Sequence, residues 1–465
     1  MPLNERRVFE LKIIIVGGGV VGQTLAAQLT REGHDIVLID NDREVVSQLS
    51  AELDIMVSYG NGASMRTLKA ADVGSSDLLI AVTPLDELNF MSCVIARKLG
   101  CTTTIARIRN PEYSEQLYFL RNEMGLSMTV NPEQAAANEI FRLMQIPGFL
   151  KRDSFAKGRV EIVELELRED SPLCGLRLME LSPRLKAKVL VCAVERGDRV
   201  VIPDGRYQLQ ANDKLYVTAP ADELLHLLRN LGIRSKKAKD AMIIGGSRIT
   251  QMLAPMLLRS GTRVKIIESN PELAETLAEM LPGATIIRGD SFDQNILNEE
   301  NISQMDTVVA LTEQDGENLT LSMYASFLGI PQVITKLNRT EYNDVFRNRG
   351  VDCVISPKLL CAQNIVRYVR AMQNSSGSSV LAMHHLVNNR VEALEFLTTE
   401  QTKHLGETLS KIRLKPNILI ACINRMGKII IPGGSDTIEK GDTVIVVTAA
   451  DRVILDLNDI FAAED

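Results

Sequence analysis

The feature that most limits what this 465-residue chain can fold into is a repeat with a period of nearly half its length. Gly17 to Gly245 and Asp40 to Glu268 each span 228 positions. Gly60 to Gly289, Thr83 to Thr312, Asp86 to Asp315, Asn89 to Asn318 and Arg107 to Lys336 each span 229. Later in each copy, Ile202-Pro203 matches Ile431-Pro432 and Asp213 matches Asp442, again at 229. Chance does not hold so many offsets within one residue, so the chain reads as a tandem duplication.

The first copy opens on Leu11–Asp40. Lys12–Val16 is apolar and β-branched, a buried strand by pattern. It runs into Gly17, Gly19 and Gly22 in the spacing G-x-G-x-x-G. Gln23–Arg31 reads as a helix, and Asp35–Ile39 as a second buried strand closed by Asp40. In this pattern Gly17 allows the tight turn, Gly19 lets the backbone approach a pyrophosphate, and Gly22 lets helix and strand pack closely. A diphosphate would rest on the helix N-terminus, over the loop Gly17, Gly18, Gly19, Val20 and Val21. Asp40, 18 residues beyond Gly22, can accept hydrogen bonds from ribose hydroxyls and would repel a 2′-phosphate. NAD(H), ATP or ADP therefore fits better than NADP(H), with Arg43 close enough to soften that exclusion.

Strands and helices go on alternating: helix Arg43–Glu52, strand Ile55–Ser58 ending at Gly60-Asn61-Gly62, helix Ser64–Ala70, strand Leu78–Val82 ending at Thr83. Helix Asp86–Leu99, strand Thr103–Ile108 carrying Arg107, strand Met128–Val130 and a helix from Asn131-Pro132-Glu133 to Met144 complete the copy. This alternation predicts a right-handed, parallel, doubly wound sheet of the Rossmann-like α/β class. Thr83 and Arg107 fall at C-terminal strand ends, where such sheets bind ligands. Arg107 is placed either to face a phosphate or to pair with a surface acid.

From about Ser154 the pattern becomes that of a small α+β module. Val160–Leu167 alternates like a half-solvated strand, Val189–Val194, Arg199–Ile202 and Lys214–Val217 follow, and Asp222–Arg229 closes as a helix. The charged stretch from Arg234 to Asp240 reads as a linker. The programme then restarts with Ala241–Ile244, Gly245-Gly246-Ser247-Arg248-Ile249-Thr250, a strand ending at Glu268, Ile286-Ile287 before Gly289-Asp290, and Thr307–Leu311 before Thr312. Four domains are expected: 11–150 and 240–375 as Rossmann-like units, 154–233 and 380–463 as their small modules.

The second glycine loop departs from the first. Ser247 replaces the glycine of close approach and Thr250 the packing glycine, so both side chains are expected to crowd a dinucleotide. Ser247 has a hydroxyl to offer a phosphate, Arg248 replaces Val20 and projects toward a terminal phosphate, and Glu268 keeps the ribose acid. Either this unit is kept for assembly alone, or it takes a mononucleotide di- or triphosphate.

The rest of the sequence mainly excludes. A net charge of −7 argues against nucleic acid or an anionic membrane surface as partner. No run reaches the ~18 apolar residues that span a bilayer, and MPLNERRVFE lacks the apolar core of a signal peptide. The seven cysteines form no C-x-x-C pair and mostly lie in apolar runs, as buried thiols of a reducing cytosol do. Five scattered histidines, His384–His385 among them, offer no metal spacing. No nucleophile–base pair and no conventional substrate domain accompany the nucleotide motif. That combination predicts a sensor and not an enzyme.

Across nearly its whole length the chain resembles the TrkA family of bacterial potassium uptake, within the wider RCK (regulator of potassium conductance) class. The resemblance rests on KIIIVGGGVVGQTLA with VLID, DLLIAVTPLDELNFMSCVIA and TIARIRNPEY in the first copy. In the second it rests on DTVVALTEQDGENLTLSMYA, QVITKLNR and GDTVIVVTA. It implies a cytoplasmic regulatory subunit, peripheral at the inner face of the membrane, docked on an integral-membrane potassium transporter of the TrkH type. It further implies a ring-like homo-oligomer, a tetramer, whose shape follows occupancy by NAD(H), ATP or ADP. Carried over by position, the contacts would be Gly17 to Gly22, Asp40, Gly60, Asn61, Thr83, Pro84 and Arg107. Their counterparts would be Gly245 to Ile249, Glu268, Asp290, Thr312, Glu313 and Lys336. Asn61 stands where the family often has an acid or a histidine. The alternatives are an NAD-dependent oxidoreductase and a regulator of a different membrane transporter.

Overall fold

The computed structural model describes residues 10–110, 112–113, 125–145, 151–155, 160–185, 188–231, 238–338, 353–375, 380–387, 390–449, 454 and 456–462. They fall into two compact units.

The first unit holds the described residues up to Ala137, with 337–338 and 356–369. Its sheet contains β1 (Lys12–Val16), β2 (Asp35–Asp40), β3 (Met56–Tyr59), β4 (Leu78–Ala81), β5 (Thr103–Arg107) and β6 (Met128–Val130). The order β3-β2-β1-β4-β5-β6 is all parallel and reverses between β1 and β4, the crevice where doubly wound sheets take ligands. Around it lie α1 (Val20–Arg31), α2 (Arg43–Glu52), α3 (Met65–Ala70) and α4 (Asp86–Leu99). The continuous aliphatic runs in β1, β2 and β4 are buried, as strands covered on both faces must be. One helix begins earlier than its apolar pattern: α1 starts at Val20, inside the glycine motif, because the loop itself turns into the helix there.

The second unit holds the repeat's second sheet and both small modules. The modules' first sheet is formed by β7 (Lys151–Phe155), β8 (Val160–Glu166), β9 (Leu190–Arg196), β10 (Arg199–Val201) and β11 (Lys214–Pro220). It is antiparallel, in the order β10-β9-β11-β8-β7. Strand β7 is not legible in the sequence, because Lys151-Arg152-Asp153 has no apolar alternation; among the described residues it is an edge strand, paired with β8. The second parallel sheet contains β12 (Asp240–Ile244), β13 (Arg263–Glu268), β14 (Thr285–Arg288), β15 (Thr307–Ala310), β16 (Gln332–Lys336) and β17 (Cys353–Ile355). Its order, β14-β13-β12-β15-β16-β17, copies the first. Asp240 opens β12, while residues 234–237 of the expected linker lie outside the described residues. The last sheet holds β18 (Val380–Leu386), β19 (Val391–Leu397), β20 (Ile418–Arg425), β21 (Lys428–Ile430) and β22 (Thr443–Ala449), ordered β18-β19-β22-β20-β21. His384 and His385 pair through their backbone with Ala393 and Glu392.

The two module sheets share one core, in which Phe155, Val160, Ile162, Ala193 and Tyr216 meet Val391, Ala393, Ala421, Ile445 and Val447. Each module also repeats one ion pair. The fully buried Asp213 receives Arg196 Nε at 2.6 Å and Nη2 at 2.7 Å, and Gln210 N at 2.8 Å. Asp442 receives Arg425 Nε at 3.0 Å and Glu439 N at 2.8 Å. The repeating aspartate is therefore a turn-and-strand anchor.

Two helices do not stay with the sheet they follow in sequence. The helix Pro132–Gln145 enters the second unit from residue 138, where Leu143 O accepts a hydrogen bond from Gln332 Nε2 at 3.1 Å. Residues 357–369 of the helix Pro357–Ser375 belong to the first unit and bury Cys361, Ala362, Ile365, Val366 and Val369 there. The expected boundaries at 150 and 375 follow chain order, and chain order does not see this exchange. Among the described residues no helix is long and apolar enough to cross a membrane.

Candidate functional site

Both glycine loops sit at the switch point of their sheets and are built alike. In the first, Gly17 has φ +107, a region that side-chain-bearing residues rarely adopt. Gly22 lies so close to β1 that an added Cβ would come within 1.8 Å of Gly17 O. Around Gly19 a Cβ would meet nothing within 4 Å, so the protein leaves that side of the loop open. Gly19 is the N-cap of α1 and supplies no side-chain capping bond; the first turn of α1 holds no acid. A helix start left in this state attracts an anion, because its N–H groups and dipole are uncompensated.

Asp40 is occupied within the protein. Its Oδ2 accepts Gly18 N at 2.5 Å and its Oδ1 accepts Asp42 N at 2.8 Å. In the second copy Glu268 Oε2 accepts Gly246 N at 2.5 Å and Oε1 accepts Asn270 N at 2.7 Å. The acid at the end of each second strand thus braces the glycine loop. Gln23 Nε2 donates to Gly18 O at 2.8 Å, and Gln251 Nε2 to Gly246 O at 3.4 Å, which holds each loop from the helix side. Sequence reasoning misses these glutamines as site residues, although their 228-residue offset is there to be seen.

The segments after β4 and β15 are tied by a buried asparagine, which sequence reasoning also misses as a site residue. Asn89 Oδ1 accepts from Thr83 N and Thr83 Oγ1, both at 2.8 Å, and its Nδ2 donates to Thr83 O and Arg107 O, both at 2.9 Å. Asn318 repeats the pattern on Thr312 N, Thr312 O and Lys336 O. Thr83 and Arg107 are thereby fixed side by side at the C-terminal edge of the sheet. Pro84 and Glu313 are exposed in the following loops.

Between the two readings left open for Arg107, the structure shows no ion pair for it among the described residues. Arg109 takes the nearby acid instead, with its Nε 2.6 Å from Glu133 Oε1. Arg107 Nη1 lies 3.5 Å from Val82 O, and its Nε is buried with no hydrogen-bond partner among the described residues. Burial first, then the charge of Arg109, pull its pKa below the ordinary arginine range. A buried guanidinium nitrogen without a partner is costly unless something else satisfies it.

The remaining positions are less direct. Val21 and Ile249 are buried in the core, so only their backbone faces the loop, whereas Val20 and Arg248 are exposed. Gly60 N and Gly289 N donate to Asp40 O and Glu268 O, the latter at 3.0 Å. Asn61 Oδ1 and Asp290 Oδ1 fold back on Ala63 N and Phe292 N, which makes both residues turn formers. Lys336 is buried at the end of β16. Thr250 does not crowd a ligand as expected. It is fully buried and its Oγ1 donates to Gly245 O at 2.5 Å, turning the steric conflict that Gly22 avoids into a hydrogen bond. Ser247 stays at the loop surface, its Oγ 3.5 Å from Thr250 Oγ1.

With this geometry in hand, comparison with known proteins gives a consistent result. The TrkA-N domain model matches residues 13–132 and 241–357, and the TrkA-C domain model matches 162–232 and 394–461. The chain is 30% identical over 448 residues to the Trk system potassium uptake protein TrkA homolog 1 of Methanosarcina mazei, covering 95% of this chain and 98% of that protein. It is 31% identical to the Trk system potassium uptake protein TrkA of Halomonas elongata, covering 97% and 98% respectively. Among solved structures, the GsuK channel bound to NAD superposes with a TM-score of 0.60 at 19% identity, over 96% of this chain and 78% of that one, a likeness of fold. The duplicated parallel sheets, the paired modules and these matches agree, and the chain belongs to the TrkA family of Trk potassium uptake proteins.

Proposed function

We propose that this chain is a nucleotide-sensing regulatory subunit of a Trk-type potassium uptake system and that it performs no catalysis of its own. The observation that carries this reading is Arg107: a buried guanidinium nitrogen without a partner among the described residues, at the sheet edge beside an uncapped, open-sided glycine loop. Phosphate oxygens satisfy such an arrangement, and the loop with Asp40 suits the diphosphate and ribose of NAD(H), ATP or ADP. The NAD bound by the GsuK channel and the potassium uptake role of the relatives support the same reading.

A ligand can drive a partner only through different affinity for two states of the assembly; a coupling of about 1–3 kcal/mol changes activity several-fold or more. The assembly proposed is a homo-oligomeric ring, a tetramer, held at the inner face of the membrane by an integral-membrane subunit of the TrkH type. The second loop, with Ser247 and exposed Arg248, is proposed to take a di- or triphosphate.

Calorimetric titration with NADH, NAD, ATP and ADP tests the reading, repeated on Gly19→Asp and Arg248→Ala. Binding without NADH turnover, lost site by site in the two variants, is the expected result. Absence of binding by any nucleotide would defeat it, and a protein monomeric with and without each of them would defeat the ring mechanism.

A further inference from the structure

Arg43, the first residue of α2, is expected from sequence to soften the exclusion of a 2′-phosphate. In the structure its guanidinium lies over the ring of Tyr59, 5.0 Å from the centroid. Tyr59 ends β3 and pairs in register with Asp40, which ends β2. Arg43 and Tyr59 are both on the surface, Tyr59 being 54% exposed. An Arg–Tyr pair in that position is a positively charged platform open to solvent.

Its place along the sheet edge gives it a use. The glycine loop follows β1, Asp40 ends β2, and Tyr59 ends β3, so the three lie in a row moving outward from the switch point. A nucleotide with its diphosphate on the loop and its ribose at Asp40 projects its base further along that row, onto the platform. From this geometry, and resting on the proposed nucleotide site, we infer that Arg43 and Tyr59 form the base-recognition wall of the first site and make it select a purine over a pyrimidine. A purine is a large, electron-rich bicycle that stacks on a guanidinium lying over an aromatic ring. Pyrimidines offer less surface.

The duplicated unit supplies an internal contrast. Pro271 stands where the first copy has Arg43, at the start of the helix Pro271–Met280, and Arg288 stands at the position of Tyr59, paired in register with Glu268. The second copy has neither half of the platform. Exposed Arg248 on its loop and exposed Arg288 beside its acid give that site cations in place of a stacking surface. The first copy accordingly adds a stacking surface for the base, and the second has cations in its place.

The test is titration of the full chain with ADP, UDP and NADPH at the site that Gly19→Asp abolishes, for the unaltered protein, Arg43→Ala and Tyr59→Leu. Both residues are at the surface, so the melting temperature serves as a check that the variants fold. ADP affinity is expected to fall about 5- to 30-fold in each variant, the range of a cation–π contact from exposed to desolvated. UDP affinity is expected to stay within about two-fold. Equal losses for ADP and UDP would make Arg43 a general attractor of anions and overturn the inference. A loss confined to NADPH would make Arg43 a 2′-phosphate contact and overturn it as well. Unchanged ADP binding in both variants refutes the platform while leaving the nucleotide site standing, whereas failure of the unaltered protein to bind any of the three removes both.

Discussion

Asn89 Nδ2 donates to the main-chain carbonyl of Arg107 at 2.9 Å, and Asn318 makes the same bond to Lys336 at 3.1 Å. In each copy one fully buried amide joins the loop after the fourth strand of the sheet to the end of the fifth.

Asn89→Ala is expected to leave Thr83 N and Arg107 O without partners in the interior. At about 1–3 kcal/mol for each buried group left unsatisfied, the loss should be about 3 kcal/mol. Denaturant unfolding measures it. Nucleotide affinity at the first site should fall in Asn89→Ala and hold in Asn318→Ala, which separates positioning of Arg107 from general loosening.

Gly22→Ala and Gly19→Ala should behave in opposite ways. The Cβ of the first would come within 1.8 Å of Gly17 O, a backbone atom that can move only by distorting the loop, so thermal stability should drop sharply. The Cβ of the second meets nothing within 4 Å. A Gly19 variant that melts normally but binds nucleotide weakly would show that the loop's open side belongs to the ligand.

In the second copy, Thr250→Val keeps the shape and removes the donor to Gly245 O. The stranded carbonyl should cost about 1–2 kcal/mol in unfolding free energy. A Thr250→Val variant as stable as the original would mean the hydroxyl is not what reconciles this loop with a side chain.

Asp213→Asn removes the charge that Arg196 meets at two points, and Asp442→Asn does the same to Arg425. With one partner buried and the other half-exposed, each change should cost about 2–3 kcal/mol. The two losses should be alike, since the anchor is repeated.

The thiols give a pH prediction. Burial pushes Cys361 and Cys422 up to about 12 from an ordinary 9.0, and raises Cys93, Cys101 and Cys192 as well. Because these groups are held protonated in the folded chain, their contribution to stability is complete below pH 9 and is lost as the pH climbs toward 12. At pH 8 iodoacetamide should label native protein at half-buried Cys174 alone, and the buried thiols only after unfolding. Rapid native labelling of Cys361 would contradict its placement.

Much of this molecule is already written in its residue order. Runs such as Ile13–Val16 and Leu78–Ala81 specify strands buried on both faces, and the helices between them require parallel crossovers. The constant offset shows the duplication, and the glycine spacing marks the loop. All of these are local or periodic properties that a linear string can carry. Where side chains reach across strands the string is silent. Nothing in the order of residues says that Asp40 braces Gly18, that Arg43 lies on Tyr59, or that Arg109 and not Arg107 takes Glu133. Nor does it say that residues 356–369 pack in the unit of the first sheet. Those outcomes depend on which elements the packed chain brings within a few ångströms of one another. Composition and periodicity thus determined the kind of fold and its repetition. Tertiary packing decided which charged side chains are used up inside it, and left Arg107 with a buried nitrogen that has no partner among the described residues.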